Sequence, residues 1–179
     1  MNSPTGMTST WFRVPEAQAG RLTTSYGLLG GTAVPLDPGR TSVYLDPPAF
    51  AFGGAGLVSS PRDYDRFLTM LLGYGTIAGK RVMSEAAVRL GTSNLLPPAV
   101  PTTHPWLAGA GFGAGGRVGT GVDTGTFGWS GAAGTVGFIN YRVGLRAGLY
   151  VQYMPSAALG VQTDFPKTVL GDVLGRKAA

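Results

Sequence analysis

The stretch TVGFINYRVGLRAGLYVQYM, residues 135–154, decides the fold class. It contains two runs rich in aromatic and β-branched residues, TVGFINY and RAGLYVQYM, which are joined through RVG. Such residues favour strands, and the short connection predicts an antiparallel hairpin. The glycine-rich run GFGAGGRV, residues 111–118, predicts a further strand. We therefore expect the C-terminal part of the chain to form an antiparallel sheet.

A helix is predicted before this sheet, beginning at Pro61. Ser60 can cap it, proline suits the first helical position, and the helix dipole favours the Asp63 carboxylate in the first turn. Gly73 is a natural end for the helix. Apolar residues occur at helical spacing between these signals, at Tyr64, Phe67, Leu68, Leu71 and Leu72.

Two further helices are predicted. Ser84 can cap a shorter helix that ends at Gly91, and a last helix begins at about Thr163. The apolar face of the last helix is expected to cover one surface of the sheet. That face consists of Phe165, Val169, Leu170, Val173 and Leu174.

The order of these elements predicts an α+β fold, with an antiparallel sheet and flanking helices. The chain of 179 residues fits a single domain. We expect a loop-rich segment over 1–56, a helical segment over 57–110, and the sheet with its C-terminal helix over 111–179. The first segment is rich in Pro, Gly and Thr, and its one strand candidate is Thr41 to Leu45.

The composition excludes several classes of function. The net charge is +5, but the arginines are dispersed, so nucleic-acid binding is not expected. The chain has no cysteine and a single histidine, which disfavours disulfides and a protein-ligated zinc site, and we expect no cofactor. We find neither a signal-peptide pattern nor 18 consecutive apolar residues, and expect a soluble protein, cytoplasmic or periplasmic, without a membrane span.

The segment GTFGWSGAAGT, residues 125–135, nearly matches the nucleophile signature GxSxG around Ser130. That signature requires a sharp turn from a strand into a helix, whereas the residues after Ser130 predict a strand. His104 and Asp123 could nominally complete a catalytic triad with this serine. The triad hydrolase stays an alternative at this point.

Two other catalytic patterns are weak. No serine has a lysine three residues later, so the chain contains no SxxK pair. Asp63 and Asp65 are two residues apart on a predicted helix, where side chains do not face each other, and we expect both on a solvated face.

Five segments together resemble the serine β-lactamase-like hydrolases, specifically class C β-lactamases, family VIII carboxylesterases and penicillin-binding-protein-type peptidases. Their order and spacing are similar to the family pattern along nearly the whole chain. The segments are SPTGMTSTWFRVP (3–15), FGGAGLVSSPRDYDRFLTMLL (52–72), GYGTIAGKRVMSEAAV (73–88), GFGAGGRV (111–118) and FGWSGAAGTVGFINY (127–141). The resemblance implies the C-terminal part of a β-lactamase/transpeptidase-like fold, and hence a single partial domain.

In this family an SxxK pair and a YxN tyrosine precede the first of these segments, and the chain has no counterpart of either. The resemblance places the third motif, KTG in many relatives, at Trp129, Ser130 and Gly131. It also implies that the backbone N–H of Ala132 is one donor of the oxyanion hole that stabilises the acyl-enzyme reaction. We expect no catalytic residue in this chain and no hydrolysis by the chain alone.

The resemblance implies a small ester or β-lactam substrate for the full enzyme. Tryptophan in place of the motif's lysine favours an apolar ester, because a neutral indole cannot bind a β-lactam carboxylate as an ammonium does. The expected partner is the missing N-terminal half or a second copy of the chain. A non-catalytic binding or assembly protein that retains the scaffold is the alternative.

Overall fold

The structure, a computed structural model, describes residues 4–50, 52–105 and 107–175. It confirms the predicted α+β class with antiparallel sheets and few helices. The strands are β1 (Thr10–Trp11), β2 (Ser25–Leu29), β3 (Thr32–Asp37), β4 (Val58–Ser59), β5 (Thr76–Ile77), β6 (Lys80–Arg81), β7 (Gly111–Phe112), β8 (Arg117–Val118), β9 (Thr126–Ser130), β10 (Val136–Asn140), β11 (Leu145–Leu149) and β12 (Tyr153–Met154). The helices are α1 (Pro61–Leu72), α2 (Glu85–Gly91) and α3 (Val161–Val173).

The main sheet has five strands in the order β11-β10-β9-β8-β7, and each neighbouring pair is antiparallel. The predicted hairpin is β10–β11, with Phe138 opposite Ala147. Its second strand is shorter than predicted, because β12 leaves this sheet and pairs in parallel with β2. All residues of β10 are buried, since helices cover the strand on both faces.

Helix α1 covers one face of the sheet and has the predicted caps. The Ser60 hydroxyl accepts a hydrogen bond from the Asp63 N–H at 3.2 Å, and Gly73 follows the last helical residue. Its apolar side packs on the sheet and on α2. The resulting core cluster consists of Leu68, Met70, Leu71, Ile77, Val88, Phe127 and Ile139.

Helix α3 covers the opposite face, as predicted, although it begins at Val161 rather than Thr163. Leu170 is buried against Val136 and Phe138 of β10. Val173 is 50% exposed at the last residue of the helix, so its predicted place in the core is wrong. The rest of the predicted face packs as expected, with Phe165, Val169 and Leu174 around Leu170.

The loop-rich segment contains a hairpin that the composition did not reveal. Strands β2 and β3 are joined by Gly30 and Gly31, whose φ angles are 56° and 82°. Two successive residues with positive φ make the tight turn whose twist matches a hairpin, and glycine adopts it without strain. Pro35 is tolerated because β3 is the edge strand of the sheet β12-β2-β3.

The strand predicted over Thr41 to Leu45 is wrong. This stretch lies in two short 3-10 turns, Gly39–Thr41 and Val43–Leu45, on either side of Ser42. The Ser42 hydroxyl is buried and donates to the Asp37 carboxylate at 2.6 Å. This side-chain hydrogen bond stabilises a turn, and the β-branched residues that suggested a strand do not outweigh it.

Across the described ranges, no helix combines the length and apolar character that crossing a membrane would require.

Candidate functional site

The four predicted site residues lie together at one end of the main sheet. Trp129 and Ser130 are the last residues of β9, and Gly131 and Ala132 begin the turn that leads into β10. The Gly131 N–H donates to the Thr135 carbonyl at 2.8 Å, which closes the turn. The site is therefore a strand end and a tight turn, both of which reach the surface.

Trp129 is 40% exposed, so it is not a core aromatic. Its ring contacts Phe112 edge to face, with ring centroids 5.3 Å apart. In the strand register Trp129 lies opposite Gly137, on the same face as Phe127 and Ile139. A Cβ at Gly137 would collide with the ring of Tyr64 from α1. The indole thus extends the α1 face of the sheet out to solvent and presents an apolar wall there.

The structure does not assemble the alternative triad. Ser130 is exposed at the end of a strand that turns into β10, rather than on a strand-to-helix elbow. Asp123 lies beyond the opposite end of β9, where it packs against Gly119. The strand β9, which is about 13 Å long, separates it from Ser130. The described residues include no hydrogen bond between the Ser130 hydroxyl and His104 or Asp123. The part of the chain that the structure describes therefore shows no general base hydrogen-bonded to this serine.

Ala132 is exposed, and its backbone N–H has no acceptor within the part of the chain that the structure describes. Neighbouring groups of the turn are paired: the Gly134 N–H donates to the Gly131 carbonyl at 3.1 Å, and the Tyr153 N–H donates to the Ala133 carbonyl at 3.0 Å. The N–H groups of Ala132 and Ala133, the two central residues of the turn, both lack a hydrogen-bond acceptor among the described residues, so either can donate to a ligand oxygen.

Gln162 of α3 supports this turn, and sequence reasoning missed it. Its side-chain amide donates to the Gly131 carbonyl at 2.5 Å and to the Thr135 carbonyl at 3.1 Å. The sequence gives no signal for this contact, because it joins residues about thirty positions apart and depends on how α3 docks.

An open apolar cavity of about 640 Å³ lies beside Ala132. Strands β2 and β3 form one wall with Leu28, Leu29 and Leu36, and Met154 and Pro155 form another. None of the described residues that line it is charged. The space next to the free N–H therefore suits an uncharged, apolar group.

A second cavity, of about 590 Å³, is polar and lies at the start of α1. Asp63 lines it and is only 3% exposed, so the expected solvated position is wrong for this residue. The N-terminal segment folds over the helix, and the carboxylate accepts from the Ser9 N–H at 2.6 Å and the Thr10 hydroxyl at 2.9 Å. Asp65 is solvated as expected and pairs with Arg146 at 2.6 Å.

Replacing Asp63 with alanine is expected to lower the free energy of unfolding by about 1–3 kcal/mol, because it leaves the Ser9 N–H without an acceptor and removes one of the two partners of the Thr10 hydroxyl, the other being Ser59. Asp65→Ala is the matched control and should cost less than about 1 kcal/mol, since its ion pair is exposed. Urea unfolding followed by circular dichroism measures both variants. Equal losses in the two would contradict the buried role of Asp63.

Tyr64 of α1 packs against Gly137, the residue opposite Trp129. Burial raises the pKa of this tyrosine above the ordinary value of a phenol.

Comparison with known proteins identifies the family. The sequence model of the Beta-lactamase family matches residues 3–165. Two curated proteins of Mycobacterium tuberculosis, "Protein Rv1367c" of strain H37Rv and "Uncharacterized protein MT1414" of strain CDC 1551, are each 36% identical over 146 residues. The match covers 74% of this chain but only 36% of either relative, so the chain spans about a third of their length.

Solved structures share the fold. The simvastatin synthase LovD of Aspergillus terreus, in a mutant form, superposes with a TM-score of 0.79 at 18% identity, over 98% of this chain and 48% of that one. EstCE1, described as a hydrolase with promiscuous acyltransferase activity, superposes with a TM-score of 0.70 at 20% identity, over 91% and 46%. The predicted β-lactamase/transpeptidase-like fold is confirmed, and the chain spans about half of these structures.

Proposed function

Because the chain belongs to the β-lactamase family, we propose that it forms the C-terminal half of a serine hydrolase that works through an acyl-enzyme. In this proposal the strand end Trp129–Ala132 lines the acyl site, and the nucleophile comes from a segment outside the chain. The observation that carries the proposal is that Ala132 is exposed, has no hydrogen-bond acceptor for its N–H among the described residues, and lines an apolar cavity.

The roles follow from the chemistry of acyl transfer. A serine hydroxyl, deprotonated by its SxxK lysine, attacks the substrate carbonyl, and negative charge develops on the carbonyl oxygen. The Ala132 N–H and the nucleophile's own N–H would hold that oxygen, and each such donor stabilises the transition state by about 2.7–4 kcal/mol. No serine of this chain has a lysine three residues later, so the chain supplies a donor without the attacking group.

An ester with an apolar acyl group is the substrate class that fits this site. Trp129 stands where many relatives have the lysine of KTG, and the described residues that line the cavity beside Ala132 include no cation to bind a carboxylate. A β-lactam would leave its carboxylate without a charged partner, at a cost in binding.

The purified chain is expected to hydrolyse neither p-nitrophenyl butyrate nor nitrocefin above the rate in buffer. Ser130→Ala should therefore leave the measured rates unchanged. The assay follows the release of p-nitrophenolate and the colour change of nitrocefin with time. Robust turnover that is lost in Ser130→Ala would overturn the proposal, because Ser130 would then be the nucleophile.

A non-catalytic binding or assembly protein is the second candidate, and the apolar surface favours it. Leu29 is 72% exposed and Phe50 is 70% exposed, with Leu36 and Phe52 also on the surface. Contiguous exposed apolar side chains are typical of a surface that a partner covers. The rings of Phe50 and Phe52 form one such contact, with centroids 5.9 Å apart. Light scattering discriminates the candidates, since a stable, well-folded monomer of the purified chain would count against assembly.

A further inference from the structure

The turn that carries Ala132 has a side-chain clamp. The Gln162 amide reaches from the first turn of α3 and donates to two carbonyls, those of Gly131 at 2.5 Å and Thr135 at 3.1 Å. These carbonyls lie at the two ends of the turn, whose backbone the Gly131 N–H already closes onto Thr135. One amide therefore fixes both ends of the turn against α3.

The clamp on the Gly131 carbonyl also sets the direction of the Ala132 N–H, since both groups belong to one peptide unit. The described residues contain a single cis peptide, Met154–Pro155, so the Gly131–Ala132 bond is trans. In a planar trans peptide the C=O and N–H point in opposite directions. With its carbonyl held toward Gln162 on α3, this peptide directs the Ala132 N–H away from α3.

Glycine has no Cβ and rotates freely about its backbone bonds, so the peptide that follows Gly131 needs hydrogen bonds to fix it. One of these bonds is local, because the Gly134 N–H of the same turn donates to the Gly131 carbonyl at 3.1 Å. The contact from Gln162 is shorter and comes from a helix packed on the sheet, so it ties the peptide to the rigid scaffold.

We propose that Gln162 is a positioning residue, whose side-chain amide holds the Gly131 carbonyl toward α3 and thereby aims the Ala132 N–H into the acyl site. The inference rests on the proposed oxyanion role of Ala132. Gln162 itself touches no substrate, and it acts through the orientation of one peptide group.

Solution NMR of the ¹⁵N-labelled chain tests the orientation directly. Gln162→Leu removes both donors, and Gln162→Glu keeps the shape of the side chain while replacing its amide by a carboxylate. Gln152→Leu is the matched control, because that side chain is exposed and has no hydrogen bond in the structure. The expected result is a changed ¹H–¹⁵N residual dipolar coupling at Ala132 in both Gln162 variants, with couplings of β10 and α1 unchanged. An unchanged Ala132 coupling in both variants would overturn the inference.

Titration with butyrate, a carboxylate with a short apolar chain, tests the proposed function separately. In the wild-type chain and in Gln152→Leu the Ala132 amide proton should shift downfield and saturate, as expected when it donates to a carboxylate oxygen. The Gln162 variants should lose at least tenfold in affinity measured at that proton. No response in the wild type would contradict the donor role of Ala132, whereas equal responses in wild type and Gln162 variants would contradict positioning by Gln162.

Discussion

Ala132→Pro is expected to lower kcat by about 10²–10³-fold in the enzyme that we propose this chain forms with an SxxK-bearing half. Proline has no N–H, so the substitution removes the proposed oxyanion donor. Gly131, whose carbonyl accepts from Gln162, is not itself replaced. The effect should fall on kcat more than on KM, because the donor acts on charge that develops in the transition state.

Ala132→Ser is the control for this prediction, since it changes the exposed side chain but keeps the backbone N–H. Its kcat for p-nitrophenyl butyrate should stay within a few-fold of the wild type. Steady-state kinetics of the two variants, measured side by side, test whether the Ala132 N–H is the oxyanion donor. Equal kcat values for the proline and serine variants would show that the Ala132 N–H is not the donor.

The largest effect on stability is expected at Ile139, which is fully buried at 0% exposure. Ile139→Ala should lower the free energy of unfolding by about 2–5 kcal/mol, because it leaves a cavity between β10 and α1. Urea unfolding followed by circular dichroism gives the value. The side chain lies in the cluster that joins the helices to the sheet, so the loss should appear in a single cooperative transition.

Two matched variants make the stability test specific. Ile139→Val removes one methylene from the same site and should cost about 0.5–1.5 kcal/mol. Val122→Ala removes apolar atoms from a residue that is 72% exposed and should stay within about 0.5 kcal/mol of the wild type. A loss below about 1 kcal/mol in Ile139→Ala would contradict the packing of β10 against α1.

Local signals account for the parts of the fold that the sequence predicted well. Ser60, Pro61 and Gly73 mark the ends of α1 through caps that involve only near neighbours, so they can be identified without the tertiary structure. The hairpin β10–β11 is likewise local, because strand formers flank a short turn. The β2–β3 hairpin also had a local signal, the Gly30–Gly31 pair, but it was obscured by the surrounding prolines and glycines.

Long-range contacts explain what the sequence could not predict. Asp63 is buried because Ser9 and Thr10, more than fifty positions earlier, fold over α1. The end of RAGLYVQYM, which forms β12, leaves the main sheet because it pairs with β2. In each case the partner lies far away in the sequence and no periodicity points to it.

Part of the candidate site could likewise be predicted from the sequence, and part of it depends on long-range contacts. Trp129, Ser130, Gly131 and Ala132 are consecutive residues at the end of β9 and in the turn after it, and their assignment as a third motif comes from the resemblance. The cavity beside Ala132 and the clamp from Gln162 needed the packed structure, because they depend on β2, β12 and α3 meeting at the turn. Their roles in the reaction stay predictions.

Covalent labelling of the purified chain with a fluorophosphonate, followed by peptide mapping, tests the central claim most directly. A serine nucleophile attacks the phosphorus of this reagent and displaces fluoride, so the label marks an activated serine. The account predicts no label on any serine of the chain, because Ser130 lies on the wall of the site without a base. A stoichiometric label on Ser130 would contradict it.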